Sequence, residues 1–210
     1  MSLVSPSLPT APRMPTTARG VATRRRLMSA AESEFGERGF HATSVSSITQ
    51  RAGVGQGTFY LYFQSKEEIF QMLVGQISRR MQQDMAEARA RESGVLAGEK
   101  AALRRFLAYA KRHPGLYRIL QECQLIDPSA FRAYFEALTS DYHLRLGRSM
   151  DIGELRAVNP QVLTWMMIGI GHFVGLAQNH WDSQQSDDDI IDTVMTVLAD
   201  GVRGDPPYAY

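Results

Sequence analysis

The sequence predicts an all-α protein, and three observations support this fold class. Apolar residues recur at spacings of three and four along most of the chain, which is the period of amphipathic helices. No segment alternates apolar and polar residues, as a half-buried strand does. Glycine and proline separate the apolar segments, as they do where helices end and begin.

Composition and charge are those of a soluble globular protein. Of 210 residues, 44% are hydrophobic and 21% are charged, which is enough apolar material for a sizeable core. Residues 1–70 carry eight Lys or Arg and five Asp or Glu, whereas the whole chain has a net charge of only +1. A basic N-terminal third suggests a polyanionic partner for that part alone.

Targeting and cysteine signals favour a cytoplasmic protein without a membrane span. Cys123 is the only cysteine, so neither an internal disulfide nor a cysteine-based metal cluster is expected. The N-terminal segment lacks the continuous apolar stretch of a secretory signal. The longest apolar run, residues 162–177, is shorter than the roughly 20 residues of a transmembrane helix. We therefore predict a buried helix there.

The first third predicts a tail followed by four helices. Residues 1–20, with four prolines, are expected to be a disordered tail. A first helix is predicted over 23–38 and ends at Gly39, where a left-handed cap is favoured. Thr43 is the expected N-cap of a second helix that ends at Gly53, and a very short third helix begins near Gln56. The fourth begins at Ser65 with a capping box and runs to about residue 91.

The remaining residues also predict helices only. Their expected ranges are 99–112, 116–126, 129–150, 161–181 and 190–202. Asp127-Pro128 and Asn159-Pro160 each combine an N-cap with a first-turn proline, which is a helix start signal. We predict a tail over 1–20, a DNA-binding domain over 21–66, and a helical regulatory and dimerisation domain over 67–210.

The DNA-binding prediction comes from the tight turn between the second and third helices. Such a pair forms a helix-turn-helix, whose second helix enters the major groove. Gln56 can pair with adenine, Thr58 can reach a phosphate or a thymine methyl, and Tyr60 can donate to a phosphate. The expected DNA contacts are Ser44, Ser46, Gln56, Gly57, Thr58, Tyr60, Tyr62 and Lys66. For Ser44 and Ser46, helix capping is an open alternative.

A family resemblance supports this interpretation. The stretch GFHATSVSSITQRAGVGQGTFYLYFQSKEEIF resembles the DNA-binding signature of the tetracycline-repressor (TetR) family, and the resemblance extends over about residues 22–73. It implies a homodimer of all-helical subunits, a ligand-binding regulatory domain and transcriptional repression. Gly55 and Gln56 stand where the family commonly has Lys or another polar residue, so base preference does not transfer.

A homodimer through the last two helices is expected. One helix-turn-helix reads few base pairs, and a palindromic operator needs two copies spaced by a helical turn. Residues 161–181 are apolar nearly all round, and Gly171 and Gly175 would allow a second backbone to approach. The alternative is an internal core helix of a monomer.

The helices between are expected to hold a small, largely apolar effector of unknown identity, because aromatic residues and polar tips are interleaved there. The candidate residues are Phe106, Tyr109, Tyr117, Gln121, Phe131, Tyr134, Phe135, Met166, His172 and Phe173. An ordinary core is the open alternative, in which the C-terminal domain only dimerises or binds a protein.

An enzyme is not predicted. His172 and His180 are eight residues apart rather than the four that place two ligands on one helix face, and no phosphate-binding glycine loop is found. Neither a metal nor another cofactor is expected. The function predicted from the sequence is therefore a ligand-responsive regulator, a repressor that an effector releases from its operator.

Overall fold

Helices make up all the regular structure that we describe, which confirms the predicted fold class. The structure is a computed structural model that describes residues 15–181 and 185–202. Its helices are α1 (Ala18–Arg38), α2 (Val45–Ala52), α3 (Gln56–Phe59), α4 (Lys66–Arg89), α5 (Val95–Arg112), α6 (Leu116–Ile126), α7 (Pro128–Asp151), α8 (Pro160–His180) and α9 (Asp187–Val202). The chain divides into two compact units, Met1–Leu73 and Val74–Tyr210.

Most helix ends follow the capping signals in the sequence. The Asp127 carboxylate accepts hydrogen bonds from the backbone N–H groups of Ser129 and Ala130 at 3.1 and 3.0 Å, and Pro128 begins α7. Asn159 caps α8 in the same way, again with a proline in the first turn. Gly53 ends α2 in the left-handed conformation, with φ 66° and ψ 40°.

Helix α1 begins closer to the N-terminus than the predicted start at residue 23. The helix begins at Ala18, because the Thr17 hydroxyl accepts a hydrogen bond from the Gly20 N–H at 3.1 Å and so caps it. Residues 18–20 are thus helical rather than part of a tail. The predicted tail over residues 1–14 lies outside the described residues.

The N-cap of α2 was assigned to the wrong residue. Ser44 caps it in a reciprocal box: its hydroxyl accepts from the Ser47 N–H at 3.0 Å, and the Ser47 hydroxyl accepts from the Ser44 N–H at 3.1 Å. Thr43 is buried instead, and its hydroxyl donates to the Gly39 carbonyl at 2.7 Å. Thr43 therefore stabilises the connection between α1 and α2.

An aromatic cluster forms the core of the first unit. The rings of Phe35, Phe40 and Phe70 lie 5.1–5.7 Å apart. Phe70 belongs to the first turns of α4, and for this reason the compact unit extends to Leu73 instead of ending near residue 66. The buried Glu34 carboxylate of α1 pairs with Arg51 of α2 at 2.9 Å, which fixes these two helices against each other.

The second unit contains the rest of α4 and helices α5 to α9. Leu107 of α5 packs with Ile191, Met195 and Leu198 of α9, and this cluster attaches the last helix to the body of the unit. Exposed carboxylates on α9 pair with cations on α5, among them Asp192 with Lys100 and Asp188 with Arg104, each at 2.7 Å. Exposed pairs contribute little to stability, so the apolar cluster dominates this contact.

Helix α8 is less buried than the sequence predicted. It is long and apolar enough to cross a membrane by length and composition, yet only 17% of its most apolar window is buried. Its exposed apolar face consists of Val162, Trp165, Met166, Gly169 and Phe173, which we call the α8 stripe. The prediction of a buried helix is therefore wrong for this face of α8.

The glycines of α8 also differ from the expectation. A Cβ on Gly175 would lie 2.2 Å from the Tyr117 hydroxyl and 2.8 Å from the Phe106 ring, and a Cβ on Gly171 would touch Leu103. Both glycines thus face their own subunit rather than a second backbone. Gly169 has open space around it.

Replacing Gly175 with alanine should destabilise the second unit. The added methyl group overlaps Tyr117 and Phe106, and overpacking of this kind costs about 1–3 kcal/mol. Gly147→Ala is the matched control: it also lies within a helix, but a Cβ there meets nothing within 4 Å. We expect it to be neutral or slightly stabilising. Urea unfolding of both variants checks this, and equal stability would contradict the packing described here.

Candidate DNA-binding surface and ligand cavity

The turn between α2 and α3 determines which side chains are exposed. Gly53 takes the left-handed conformation, and the Val54 N–H donates to the Thr49 carbonyl at 3.0 Å. Ile48 of α2 and Phe59 of α3 are completely buried beneath the turn. Because Phe59 points inward, the short α3 presents its other residues to solvent.

The predicted DNA contacts differ in accessibility. Ser44, Ser46, Gln56, Gly57 and Tyr60 are exposed, whereas Thr58, Tyr62 and Lys66 are partly buried. A Cβ on Gly57 would meet nothing within 4 Å, so that another surface can approach its backbone closely. All eight stay predictions as DNA contacts, and the accessible surface here is formed by Gln56 and Gly57 of α3 with Tyr60 at its C-cap, which we call the Gln56–Tyr60 face.

Two of these side chains already have protein partners. The Ser44 hydroxyl forms the α2 cap, which was the open alternative for that residue. The Lys66 ammonium donates to the Phe40 and Thr43 carbonyls at 2.8 and 2.9 Å and lies 4.2 Å from the centre of the Phe40 ring. Both residues thus have a structural contact in addition to the predicted one.

Leu61 is an exposed residue of this surface that was not among the predicted DNA contacts. Its side chain is 67% exposed directly beside Tyr60, although a leucine is usually buried. An exposed apolar group next to polar donors is suited to contact with a thymine methyl or a sugar. The signal was its position, since Phe59 and Phe63 on either side both point inward.

A narrow apolar cavity lies in the second unit. Its volume is about 60 Å³, and helices α4, α5, α7, α8 and α9 contribute to its wall. Four predicted pocket residues line it: Phe106, Tyr134, Phe135 and His172. The cavity is also lined by Met81 and Met85 of α4 and by the polar residues Glu99 and Tyr142, none of which was predicted from the sequence.

A wider and more open cleft shares one wall with the cavity. Its volume is about 730 Å³, and Phe131, another predicted pocket residue, contributes to its lining. Phe135, Ile168 and His172 line both spaces. Gln124, Arg132, Glu136 and Thr139 supply polar groups to the cleft alone.

Five predicted pocket residues line neither of these two spaces. Tyr109 is buried and stacks on His113 at 4.2 Å, and Tyr117 is buried against His172 and His180. Gln121 is exposed on α6. Met166 and Phe173 belong to the α8 stripe. The interleaving of aromatic and polar side chains suggested all five, but the spacing along a helix could not show which neighbour each side chain meets.

A buried ionic cluster forms the polar part of the cavity wall. The Glu99 side chain is 3% exposed, and its carboxylate accepts from Arg89 at 3.2 and 3.4 Å, from the Tyr142 hydroxyl at 2.7 Å, and from Arg145. The two guanidinium groups lie 4.4 and 4.6 Å from the centre of the Tyr142 ring. Burial and the Glu99 charge raise the pKa of Tyr142, so the hydroxyl stays protonated and donates. The cluster links α4, α5 and α7.

Burial keeps two further ionisable groups of the second unit, His172 and Cys123, neutral near pH 7. Burial lowers the pKa of His172, so its imidazole is uncharged near pH 7, and its backbone carbonyl accepts from the Tyr117 hydroxyl at 3.3 Å. Burial raises the pKa of the Cys123 thiol to about 11. Within the described ranges, no group of three or more His, Cys, Asp or Glu side chains is placed to hold a metal ion. The chemistry available here is the binding of apolar groups with a few polar contacts.

The fold and the exposed α3 are those of a helix-turn-helix protein with a helical C-terminal domain. Residues 27–73 match the family model described as bacterial regulatory proteins, tetR family. This N-terminal segment is therefore similar to that family, which confirms the resemblance seen in the sequence.

The similarity to curated proteins covers only part of the chain. An uncharacterised HTH-type transcriptional regulator, YdgC of Bacillus subtilis, is 46% identical over 77 residues, which are 37% of this chain and 39% of that relative. The chain thus matches well under half of that relative's length.

Two solved structures share the fold along nearly their whole length. The regulator FadR from Bacillus subtilis, in complex with stearoyl-CoA, has a TM-score of 0.72 at 21% identity and covers 85% of this chain and 98% of its own. AibR, in complex with isovaleryl coenzyme A and operator DNA, has a TM-score of 0.67 at 17% identity, covering 84% and 97%. At these identities the likeness concerns the fold.

Removing the charge of Glu99 should destabilise the second unit strongly. Glu99→Gln leaves Arg89 and Arg145 without their carboxylate, and breaking a buried ion pair costs about 3–5 kcal/mol. Tyr142→Phe removes one hydrogen bond to a charged group and should cost about 1.5–3 kcal/mol. Unfolding in urea measures both. Glu37→Gln, at an exposed ion pair with Arg51, is the matched control and should have little effect.

Proposed function

We propose that the protein is a transcriptional repressor that binds a palindromic DNA operator as a homodimer and is released by a small amphiphilic effector. The observation that carries this proposal is the exposed Gln56–Tyr60 face of α3 within a tetR-family DNA-binding domain. Such a protein acts in the bacterial cytoplasm, where the DNA is. Its relative YdgC is described as an HTH-type transcriptional regulator.

The exposed groups are suited to two kinds of DNA contact. Gln56 has an amide that can pair with adenine in the major groove, which would specify one base. Hydroxyl groups that can donate to phosphates are supplied by Ser46, Thr58, Tyr60 and Tyr62. Such phosphate contacts would fix the orientation of α3 on the DNA. In AibR, a protein with the same fold, operator DNA is bound.

The dimer interface that we propose is the α8 stripe together with the outer face of α9. The stripe exposes two aromatic rings, Trp165 and Phe173, at about 56% and 57% of their surface. On α9, Thr193, Val197 and Gly201 are exposed at a spacing of four, so one face of that helix has small or apolar side chains. A second copy offers the same two faces, and an isologous pairing would remove both from water.

An effector with an apolar tail and a polar head would suit the two adjacent spaces, which share the lining residues Phe135, Ile168 and His172. The narrow cavity would take the tail, and the open cleft beyond Phe135, Ile168 and His172 would take the head near Arg132. At about 60 Å³ the cavity is too small for a long chain unless its lining moves. Met81 and Met85 can adapt in this way. FadR, which shares the fold, binds stearoyl-CoA, so acyl-CoA thioesters are the first class to test.

Release from DNA would proceed through α4. Glu99 lines the cavity and holds Arg89 in the last turn of α4, whereas the first turn of the same helix belongs to the DNA-binding unit. An effector that binds better when this contact is altered shifts the population towards that state. Such coupling is reciprocal, so operator DNA must weaken effector binding by the same factor.

The alternative, a C-terminal domain that only dimerises or binds a protein, predicts a solid core. The apolar cavity beside Glu99 favours the effector instead.

Operator binding should be steeply salt-dependent and sensitive to α3. We expect the wild-type protein to select palindromic duplexes from a random pool, with two half-sites about 34–36 Å apart or a multiple of that distance. Gln56→Ala should remove about 1–3 kcal/mol of preference at one base pair per half-site. Tyr60→Phe should weaken binding to all sequences alike. Fluorescence polarisation with single-base operator variants separates these effects.

Two controls accompany this measurement. Gln83→Ala makes the same chemical change at an exposed position of α4 in the second unit and should leave binding unchanged. Phe173→Glu places a charge on the α8 stripe and should produce monomers in sedimentation analysis, with loss of palindrome binding. A Gln56→Ala variant that lost affinity equally for every sequence would show that Gln56 contacts only the backbone.

Acyl-CoA thioesters should stabilise the protein and release it from DNA. A ligand at a hundred times its Kd adds about 2.7 kcal/mol to the stability of the native state, which raises the melting temperature. Affinity should depend on chain length, because the tail occupies the cavity, and coenzyme A alone should bind weakly. Thermal shift and operator release across a series of chain lengths give the two readouts.

A matched pair of variants tests the location of the tail. Gly171→Val adds bulk to the cavity wall, whereas Gly147→Val makes the same substitution in α7, where a Cβ has open space. Only the first should weaken binding of long chains. If no thioester changes the melting temperature, this effector class is wrong, and DNA binding is unaffected by that result.

A further inference from the structure

We propose that Lys66 positions the DNA-binding helices and does not bind a DNA phosphate. This inference rests on the proposed function, because it concerns how the operator is held. Lys66 is the first residue of α4, where a free ammonium beside the helix N-terminus would suit an anion. The contacts of its side chain point to a different role.

The ammonium of Lys66 is held by the protein itself. Nζ donates to the Phe40 carbonyl at 2.8 Å and to the Thr43 carbonyl at 2.9 Å, and it lies 4.2 Å from the centre of the Phe40 ring. These contacts use two of its three donors and cover a further side with an aromatic face. A phosphate oxygen would have to compete with this arrangement.

The charges beside Lys66 also disfavour a phosphate. Glu67 and Glu68 follow it directly in the first turn of α4. Hydrogen bonds from the Glu67 N–H and from Ser65 lower the pKa of Glu67, which is therefore ionised near pH 7. The Glu68 carboxylate accepts from the Gln64 N–H, and the Glu68 N–H donates to the Ser65 hydroxyl at 3.2 Å. The formal charges of Lys66, Glu67 and Glu68 together are negative, so a phosphate would meet two carboxylates beside the one ammonium.

The two carbonyls belong to the connection that leads into α2. Residues 39–44 join α1 to α2, and Thr43 immediately precedes the N-cap Ser44. The buried Thr43 hydroxyl donates to Gly39 within the same connection. Lys66 thus ties the start of α4 to the start of α2, across 23 residues of sequence that include α3. Its removal would take the charge-assisted donor from both carbonyls, although the Phe40 carbonyl keeps the Thr43 N–H at 3.3 Å, and would free α2 to shift with respect to α4.

The test is Lys66→Met, in the full-length protein, on a duplex that the wild type has selected from a random pool. Met keeps the length of the side chain and removes the ammonium. We expect operator affinity to fall roughly tenfold and the melting temperature to fall by a few degrees, since the lost hydrogen bonds are charge-assisted. The slope of log K against log salt should not change, because no phosphate contact is lost.

Two results would overturn the proposal. A salt slope smaller by about 0.9, with an unchanged melting temperature, would show a phosphate contact. A lower melting temperature with operator affinity within about twofold of wild type, measured far below the transition, would show a contribution to stability alone. If the wild type selects no duplex at all, the proposed function fails, which is a separate outcome.

Two further variants keep the experiment decisive. Ser65→Ala weakens the same helix start by removing the hydroxyl that caps the Glu68 N–H, yet it leaves the Lys66 contacts in place. At a comparable loss of stability it should weaken operator binding much less than Lys66→Met. Lys66→Gln is the substitute if Lys66→Met does not fold, and the same criterion on the salt slope applies to it.

Discussion

The boundary between the two compact units lies inside one uninterrupted helix, α4. This helix is the covalent connection between the units. With 24 residues, α4 is about 36 Å long, and its backbone hydrogen bonds keep it stiff. A cation is engaged at each end: Lys66 on the carbonyls before α2, and Arg89 on the carboxylate of Glu99. Displacement of either end would therefore strain a charge-assisted contact.

The most apolar helix of the chain is not the most buried one. Only one side of α8 packs within its own subunit, where Gly175 lets Tyr117 and Phe106 come close. The opposite side keeps Trp165 and Phe173 in contact with solvent. A helix that is apolar all round must be covered on all sides, and the fold covers only half of it. The uncovered half is the physical reason for proposing a second copy.

Several polar residues have the predicted type of chemistry but a different partner. Ser44 caps a helix, Thr43 closes a connection, and Lys66 binds carbonyls, although each also lies in the stretch that resembles a DNA-binding signature. A hydroxyl or an ammonium forms a hydrogen bond with whichever acceptor the fold places within about 3 Å. Sequence spacing gives the position along a helix, but it does not give the neighbour from another helix.

The sequence by itself determined the all-helical fold, most helix ends and the turn at Gly53, because periodicity, caps and backbone preferences act over a few residues. It also determined which side of α3 is exposed, since Phe59 and Gln56 differ in polarity. Only the tertiary structure decided that Glu99 and Tyr142 line the cavity, that Met166 and Phe173 lie outside it, and where Lys66 donates its protons. These contacts join residues far apart in the chain, so packing and burial decide them, and no local pattern records that choice.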